Sequence, residues 1–383
     1  MPAMRVPPVS SLPIEQLATE PEPAVRTLLY PKAAWEISSN PMWAPAAREG
    51  HSAVYSPSLN QLILFGGYAA GQGHLSDCSV CKLEVGTGTA SQVKWSRMRL
   101  GGGVSKRSHH GCALLEHPER PQMIIFGGES VLNGKMVELN DAWSISLRTG
   151  EGRALIGNEG VPPTPRRCHS LTVASNDDGR MLVIGGCGQN SSFFPAEDNL
   201  HLLHVGPDGA NWRSGAKVLK LLAEEAHEPP PAASPREPSK SVEAARVAEE
   251  AAERRVTARR EAYTLLERRS HSANVAGKVV LLFGGKTAAG DSADLVQIHT
   301  QSLKCEALHV NGPPPAARHA HAAAVVGSRL FVSGGLNKLG VLSDLHVLDL
   351  RRDHFLDPLV LRYHNRVYRI RLHHQQSLIP KYP

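Results

Sequence analysis

The sequence predicts an all-β fold, in which small antiparallel sheets repeat in series around a ring with one helical insert. Three observations predict it. An Arg-x-x-His pattern occurs five times in order, and after each copy an apolar run ends in Gly-Gly. A second strand-like cluster, opened by an acidic or amide residue, follows every glycine pair. The interval between copies is nearly constant, with one exception. A period of this size marks a repeat architecture, in which each unit buries its faces only against its neighbours.

The copies begin at Arg48/His51, Arg107/His110, Arg166/His169, Arg268/His271 and Arg318/His321. Their glycine pairs are Gly66 and Gly67, Gly127 and Gly128, Gly185 and Gly186, Gly284 and Gly285, and Gly334 and Gly335. The runs before them, such as those ending at Phe65, Phe126, Ile184, Phe283 and Val332, are too short for helices and too continuous for a half-wet strand. They read as strands covered on both faces. The glycines turn the chain where a side chain would clash or φ must be positive. The next strand opens at Asp77, Asp141, Asn199, Asp294 or Asp344. Tryptophans and prolines then lead toward the following arginine: Trp35 through Pro45 to Arg48, and Trp95 to Arg107. Each unit thus offers about four strands, the usual size of a small sheet. Four-stranded sheets in series pack radially as a propeller.

Through the Gly-Gly pair, the later tryptophan and the intervening aspartate-led strand, the chain resembles the kelch-repeat β-propellers over roughly residues 35–350, apart from one insert. The fourth and fifth units depart from the pattern by lacking the tryptophan. The resemblance implies a rigid ring that presents loops to other proteins.

The motif histidines are 59, 59, 102 and 50 residues apart, as 110−51, 169−110, 271−169 and 321−271 show. The long interval places an insert at 213–267 between propeller segments 35–212 and 268–350. It opens with a proline-rich, extended stretch from Glu228 to Pro238. Ser241 then caps an expected helix running to about Leu266, with Glu250 and Arg254 one turn apart. Its apolar positions, Val242, Ala245, Ala252, Val256, Tyr263 and Leu266, suit a solvated excursion on the rim or a docking helix for a partner. Residues 1–34 form an N-terminal extension and 351–383 a basic tail. In the tail, Asn365 lies between two apolar runs, which points to a hairpin. Joined to the segment around Trp35, this hairpin would close the ring as a sixth blade and remove the exposed sheet edges.

Net charge is +6, and the tail alone supplies seven Lys or Arg against Asp353 and Asp357. Arg362, Arg366, Arg369 and Arg371 are therefore the candidate contacts for an acidic partner. The rest of the chain is near neutral, so direct nucleic-acid binding is not expected. Six cysteines in 383 residues do not form a disulfide framework, which points to a reducing, cytoplasmic setting. No apolar stretch approaches the ~20 residues of a membrane span.

No catalytic, cofactor or metal residues are assigned. One histidine per repeat cannot converge on one ion, and Cys78 and Cys81, three apart on a strand, point to opposite faces. The arginines are expected to bond backbone carbonyls or the aspartate of an adjacent strand. Cys112, Cys168 and Cys187 read as small core residues. The function this supports is a non-enzymatic protein-interaction scaffold or adaptor. Three alternatives stay open: a substrate-recruiting adaptor of a ubiquitin ligase, a subunit of a cytoskeletal or ribonucleoprotein assembly, and an enzyme of the galactose oxidase-like propeller group.

Overall fold

Alternate residues of single strands belong to different hydrophobic clusters, and this determines how the sheets are arranged. In the computed structural model, which describes residues 44–82, 94–206, 209–214, 260–310 and 312–350 with positions 250, 254, 257 and 258, Met123 and Ile125 pack with Ile63, Phe65 and Val80. Their neighbours Ile124 and Phe126 pack the other way, with Met181, Val183 and Leu203. The same alternation sends Leu182 and Ile184 toward Val280 and Leu282, and Leu281 and Phe283 toward Leu330 and Val332. The three middle sheets are therefore covered on both faces by their neighbours in the sequence, as period-2 side-chain alternation allows.

The first sheet runs Ser52–Ser56, Gln61–Phe65, Cys78–Lys82, Lys94–Met98 from the inside out. Its inner strand Ser52–Ser56 contacts Gly111–Leu115, which contacts Ser170–Ser175, then Ser272–Ala276, then Ala322–Val326. Five such sheets follow one another as propeller blades among the described residues. The third carries a fifth strand, Gly157–Glu159, which lies parallel to the outer strand Gly209–Arg213. The expectation of four antiparallel strands per unit is corrected there, because the chain crossing from the second blade pairs with the outer edge of the third. Trp212 on that outer strand is buried and packs 5.0 Å from the Phe126 ring of the preceding blade. The second blade has no tryptophan in its outer strand, Gly152–Ala154.

The glycine pairs lie where blades approach most closely. Gly127 and Gly128 have φ of 60° and 96°, and a Cβ on Gly128 would lie 2.6 Å from the Ser108 carbonyl oxygen and 2.8 Å from His110 Cβ. Gly128→Ala therefore combines backbone strain with a clash against backbone. Urea denaturation should show a loss of about 2–4 kcal/mol.

The insert also departs from expectation. The helix of the insert is not merely a solvated excursion: at its end Tyr263 and Leu266 are fully buried between the third and fourth blades with Leu303 and Cys305. Tyr263 donates its hydroxyl to the Leu303 carbonyl at 3.3 Å. The helix finishes in a 3-10 turn, Thr264–Leu266, which delivers the chain to Arg268. The proline-rich stretch lies outside the described residues. So do the helix start at Ser241, Trp35, the extension 1–34 and the tail 351–383 with Arg362, Arg366, Arg369 and Arg371. The sixth blade would draw on those segments.

The fifth sheet, Ala322–Val326, Arg329–Ser333 and Leu345–Asp349, has three strands among the described residues. Its outward residues Val326, Leu345 and Val347 are 63%, 62% and 51% exposed, whereas Leu330 and Val332, facing the fourth blade, are 2% and 4%.

Candidate functional site

The Arg-x-x-His motif enters each inner strand, and the glycine pair leaves the strand beside it, so both gather at one end of the central channel. Some positions there repeat in every blade and hold the ring together. Arg48 lies 2.7 Å from Asp77, Arg107 2.7 Å from Asp141, and Arg318 2.6 Å from Asp344. Each arginine also donates to the first glycine carbonyl of its own blade: Arg107 to Gly127 at 3.0 Å, Arg166 to Gly185 at 2.9 Å, Arg268 to Gly284 at 2.8 Å and Arg318 to Gly334 at 2.9 Å. In turn, the second glycine donates to the arginine carbonyl of the next blade, Gly67 to Arg107, Gly128 to Arg166, Gly186 to Arg268 and Gly285 to Arg318. The guanidinium thus links two strands of one blade, while its own carbonyl is bonded to the blade before. Arg107, Arg166 and Arg318 are completely buried.

In the third blade the arginine partner is not Asn199. Asn199 keeps the backbone role, accepting from Gly185 at 2.9 Å, but its side chain donates to the carbonyls of Phe194 and Pro195. The carboxylate comes from Asp198, 2.9 Å from Arg166, because the 3-10 turn Ala196–Asp198 raises that residue to the same place. The fourth blade has the loosest pair: Arg268 and Asp294 are 3.6 Å apart, and Ser292 donates to Asp294 at 2.8 Å. Burial pushes Asp141 up, yet the bonds from Arg107 and Trp143 outweigh it and hold the carboxyl below its ordinary value. Asp344 is held well below the carboxylate range by Arg318 and His346.

The histidines bridge blades in the same repeating way. Nε2 of His110, His271 and His321 meets Ser52, Ser170 and Ser272 of the preceding inner strand at 2.8, 2.9 and 2.9 Å. Gly111 stands where the second blade has no serine, so His169 accepts from its backbone N–H at 3.2 Å. Phe65, Phe126 and Phe283 meet these rings edge-on at 5.3–5.4 Å. Burial lowers His110 and His271 to about 3 and His321 to about 4, and the neighbouring motif arginine adds to each effect. His51 belongs to the first described blade, and burial lowers it as well.

The third motif residue forms a belt around the channel. Gly50, His109, Cys168, Ser270 and Ala320 all have φ between 52° and 60°. His109 N–H donates to Gly50, Cys168 to His109, Ser270 to Cys168 and Ala320 to Ser270, at 2.7–2.9 Å. The second motif residue forms a bridge with the residue after Gly-Gly: Glu49 with Tyr68, Ser108 with Glu129, Arg167 with Cys187, Arg269 with Lys286 and His319 with Leu336. The backbone here is constant and the side chains differ from blade to blade. These variable positions give the channel mouth its chemistry.

Glu49, Glu129 and Glu138 lie on the side of the first two blades. Arg167, 3.3 Å from Glu129, begins a more basic sector that continues through Arg269, Lys286 and Lys338. Between the fourth and fifth blades a hollow of about 560 Å³ opens beside Lys286, Asp291, His319, Lys338 and Leu339. His319 Nδ1 lies 2.7 Å from Asp291 there. Among the described residues no group of three or more potential ligands could hold a metal ion. Cys78 contacts Met98 while Cys81 contacts the Lys82 carbonyl. No helix of the described residues is long and apolar enough to cross a membrane.

The class defined by this geometry is a β-propeller whose repeated residues hold the blades together and whose variable residues line one channel mouth. The chain belongs to the kelch-repeat family: the KLHDC2/KLHL20/DRC7 Kelch-repeats domain matches residues 27–214 and 252–373. It is 27% identical to the host cell factor homolog hcf-1 of Caenorhabditis elegans over 37% of this chain and 18% of that protein. An F-box/kelch-repeat protein of Arabidopsis thaliana is 29% identical over 38% of this chain and 29% of its own length. The acyl-CoA-binding domain-containing protein 5 of the same plant is 35% identical over 22% and 14%. The matched segments span less than a third of each relative.

Proposed function

We propose that the chain is a non-enzymatic interaction scaffold whose motif-end channel mouth receives another protein. One observation carries this reading: at one end of one ring, the Arg, His and Gly-Gly positions are filled alike in every blade, while the belt residue and the residue after Gly-Gly differ in every blade. A ring selected only for packing has no need for that divergence, whereas a contact surface does. The family supports it, since kelch propellers typically bind other proteins. The basic sector from Arg167 to Lys338 suits an acidic stretch of the partner. An adaptor role in a ubiquitin ligase is the second reading, favoured by the F-box/kelch-repeat relative.

The test is affinity capture with quantitative identification of what binds, comparing the native chain with Lys286→Glu/Lys338→Glu at the mouth and Lys278→Glu at the opposite end. The double variant should lose a specific partner at least tenfold, while Lys278→Glu keeps it, since opposing charges at an interface steer and select partners. Equal capture by all three would contradict the assignment of the mouth. Ligase subunits among the captured proteins would favour the adaptor reading.

A further inference from the structure

At the mouth, between the third and fourth blades, two cysteines occupy variable positions. Cys168 is the third blade's belt residue, where other blades have Gly50, His109, Ser270 and Ala320; Cys187 follows the Gly-Gly pair, where others have Tyr68, Glu129, Lys286 and Leu336. The fold therefore does not require a small apolar residue at either place. The expectation that both are core filler gives way to a cluster in which Cys168, Cys187 and Arg269 meet at the junction of the third and fourth blades. Their proximity follows from the bridge between Arg167 and Cys187, which donate to each other's carbonyls at 3.0 and 2.9 Å and set Cys168 beside Cys187. Arg269 Nη1 of the next blade reaches the Cys187 sulfur at 3.8 Å. Cys187 is buried, and Cys168 is partly exposed.

We propose that Cys168 and Cys187 are a redox-active dithiol, converted to an intrachain disulfide by a hydroperoxide that enters from the channel mouth. The neighbouring Cys168 thiol and the Arg269 and Arg167 guanidinium groups lower the Cys187 thiol from its usual value against the effect of burial, while Cys187 and burial push Cys168 up. A thiolate held between guanidinium groups is the nucleophilic form. It attacks one peroxide oxygen, the O–O bond breaks, and Cys187 becomes a sulfenic acid. The departing hydroxide takes the Cys168 proton and becomes water. The Cys168 thiolate then attacks the Cys187 sulfur, forming S–S and expelling hydroxide. In sum, one thiolate, one thiol and hydrogen peroxide give a disulfide, water and hydroxide. The other cysteines are poor competitors, because burial pushes Cys78, Cys112 and Cys305 up to about 12 and raises Cys81 too.

The test treats the full chain at pH 7 with hydrogen peroxide in slight excess, blocks remaining thiols with iodoacetamide, and maps the peptides by mass spectrometry. The expected product is a peptide linked through Cys168 and Cys187, formed roughly tenfold faster than oxidation at the other four cysteines. In Cys168→Ser, whose folding is checked by thermal unfolding, Cys187 should stop at the sulfenic acid and be trapped by dimedone. In Cys187→Ser, Cys168 should remain a free thiol at the same dose. Arg269→Gln should slow formation of the same disulfide several-fold, as expected for a positioning residue. Oxidation spread evenly over the six cysteines, a link involving any other cysteine, or no reaction at a dose that oxidises free cysteine would each overturn the proposal.

Discussion

Arg166→Ala should destabilise the chain by about 3–5 kcal/mol, the usual cost of removing one partner from a buried ion pair. The Arg166 side chain donates to the carbonyls of Thr164, Gly185 and Asp198, to the Thr164 hydroxyl and to the Asp198 carboxylate, and stacks 4.2 Å from the Phe194 ring. Truncation leaves the Gly185 carbonyl without its donor at a blade junction, and leaves the Asp198 carboxylate with His201 and Thr164 but no fixed positive charge. Lysine is no remedy, because an ammonium cannot span the forked set of acceptors. Arg268→Ala should cost markedly less. Its carboxylate partner is 3.6 Å away and 62% exposed, so water takes over solvation when the guanidinium is lost. Urea denaturation of the two variants side by side checks the ranking. Equal losses would show that the carboxylate pair is not what separates them.

Acidification should weaken the fold before any carboxylate titrates. His110 and His271 lie at about 3 and His321 at about 4 in the folded chain, and His169 lies well below 6.5; burial is the main cause in each. In the unfolded chain the same groups protonate near 6.5. Between those values the unfolded state binds more protons, so stability falls as pH falls. The contribution is complete above about pH 6.5 and is lost progressively toward pH 3–4. At pH 5 each histidine costs up to about 2 kcal/mol, and four together several kcal/mol. Unfolding free energies at pH 7 and pH 5 measure this directly. A flat profile across that window would mean that the inter-blade rings are solvated and free to take up a proton. Below pH 4, Asp141 and Asp198, both lowered in the fold, add loss in the same direction.

Legibility in the sequence followed the period. The second strands, their glycine turns and the arginine-to-aspartate pairing recur in one fixed order, so one pattern accounts for all of them, and five copies reinforce it. Asp198 escaped because a 3-10 turn shifts the carboxylate by one residue while the backbone register stays at Asn199. The burial of Tyr263 and Leu266 escaped for a different reason. Their helical spacing suits a surface helix equally well, and only the space between the third and fourth blades, closed by Leu303 and Cys305, distinguishes the two. The Cys168 and Cys187 pair depends on the bridge between Arg167 and Cys187, 20 positions apart as 187−167 shows, that no local pattern encodes. The exposed outward face of the fifth sheet, with Val326, Leu345 and Val347, fits a blade supplied by residues outside the described part. The family match extends over both 27–43 and 351–373, which is consistent with that source. Removing 351–383 should accordingly lower the melting temperature and increase binding of an apolar dye. An unchanged melting temperature would leave the tail free for the acidic partner that its arginines suit.

In the proposed function, neighbouring residues divide into those that hold the ring and those offered to a partner, and Arg166 and Arg167 stand on either side of that division. Thermal unfolding of Arg166→Ala and Arg167→Ala under one set of conditions tests it most directly. The first should melt at least several degrees below the native chain, and the second, whose part-exposed side chain donates to Ser191 at 3.2 Å and lies 3.3–3.6 Å from Glu129 and Glu138, within about two degrees of it. Equal melting temperatures, or the larger loss at Arg167, would contradict the division.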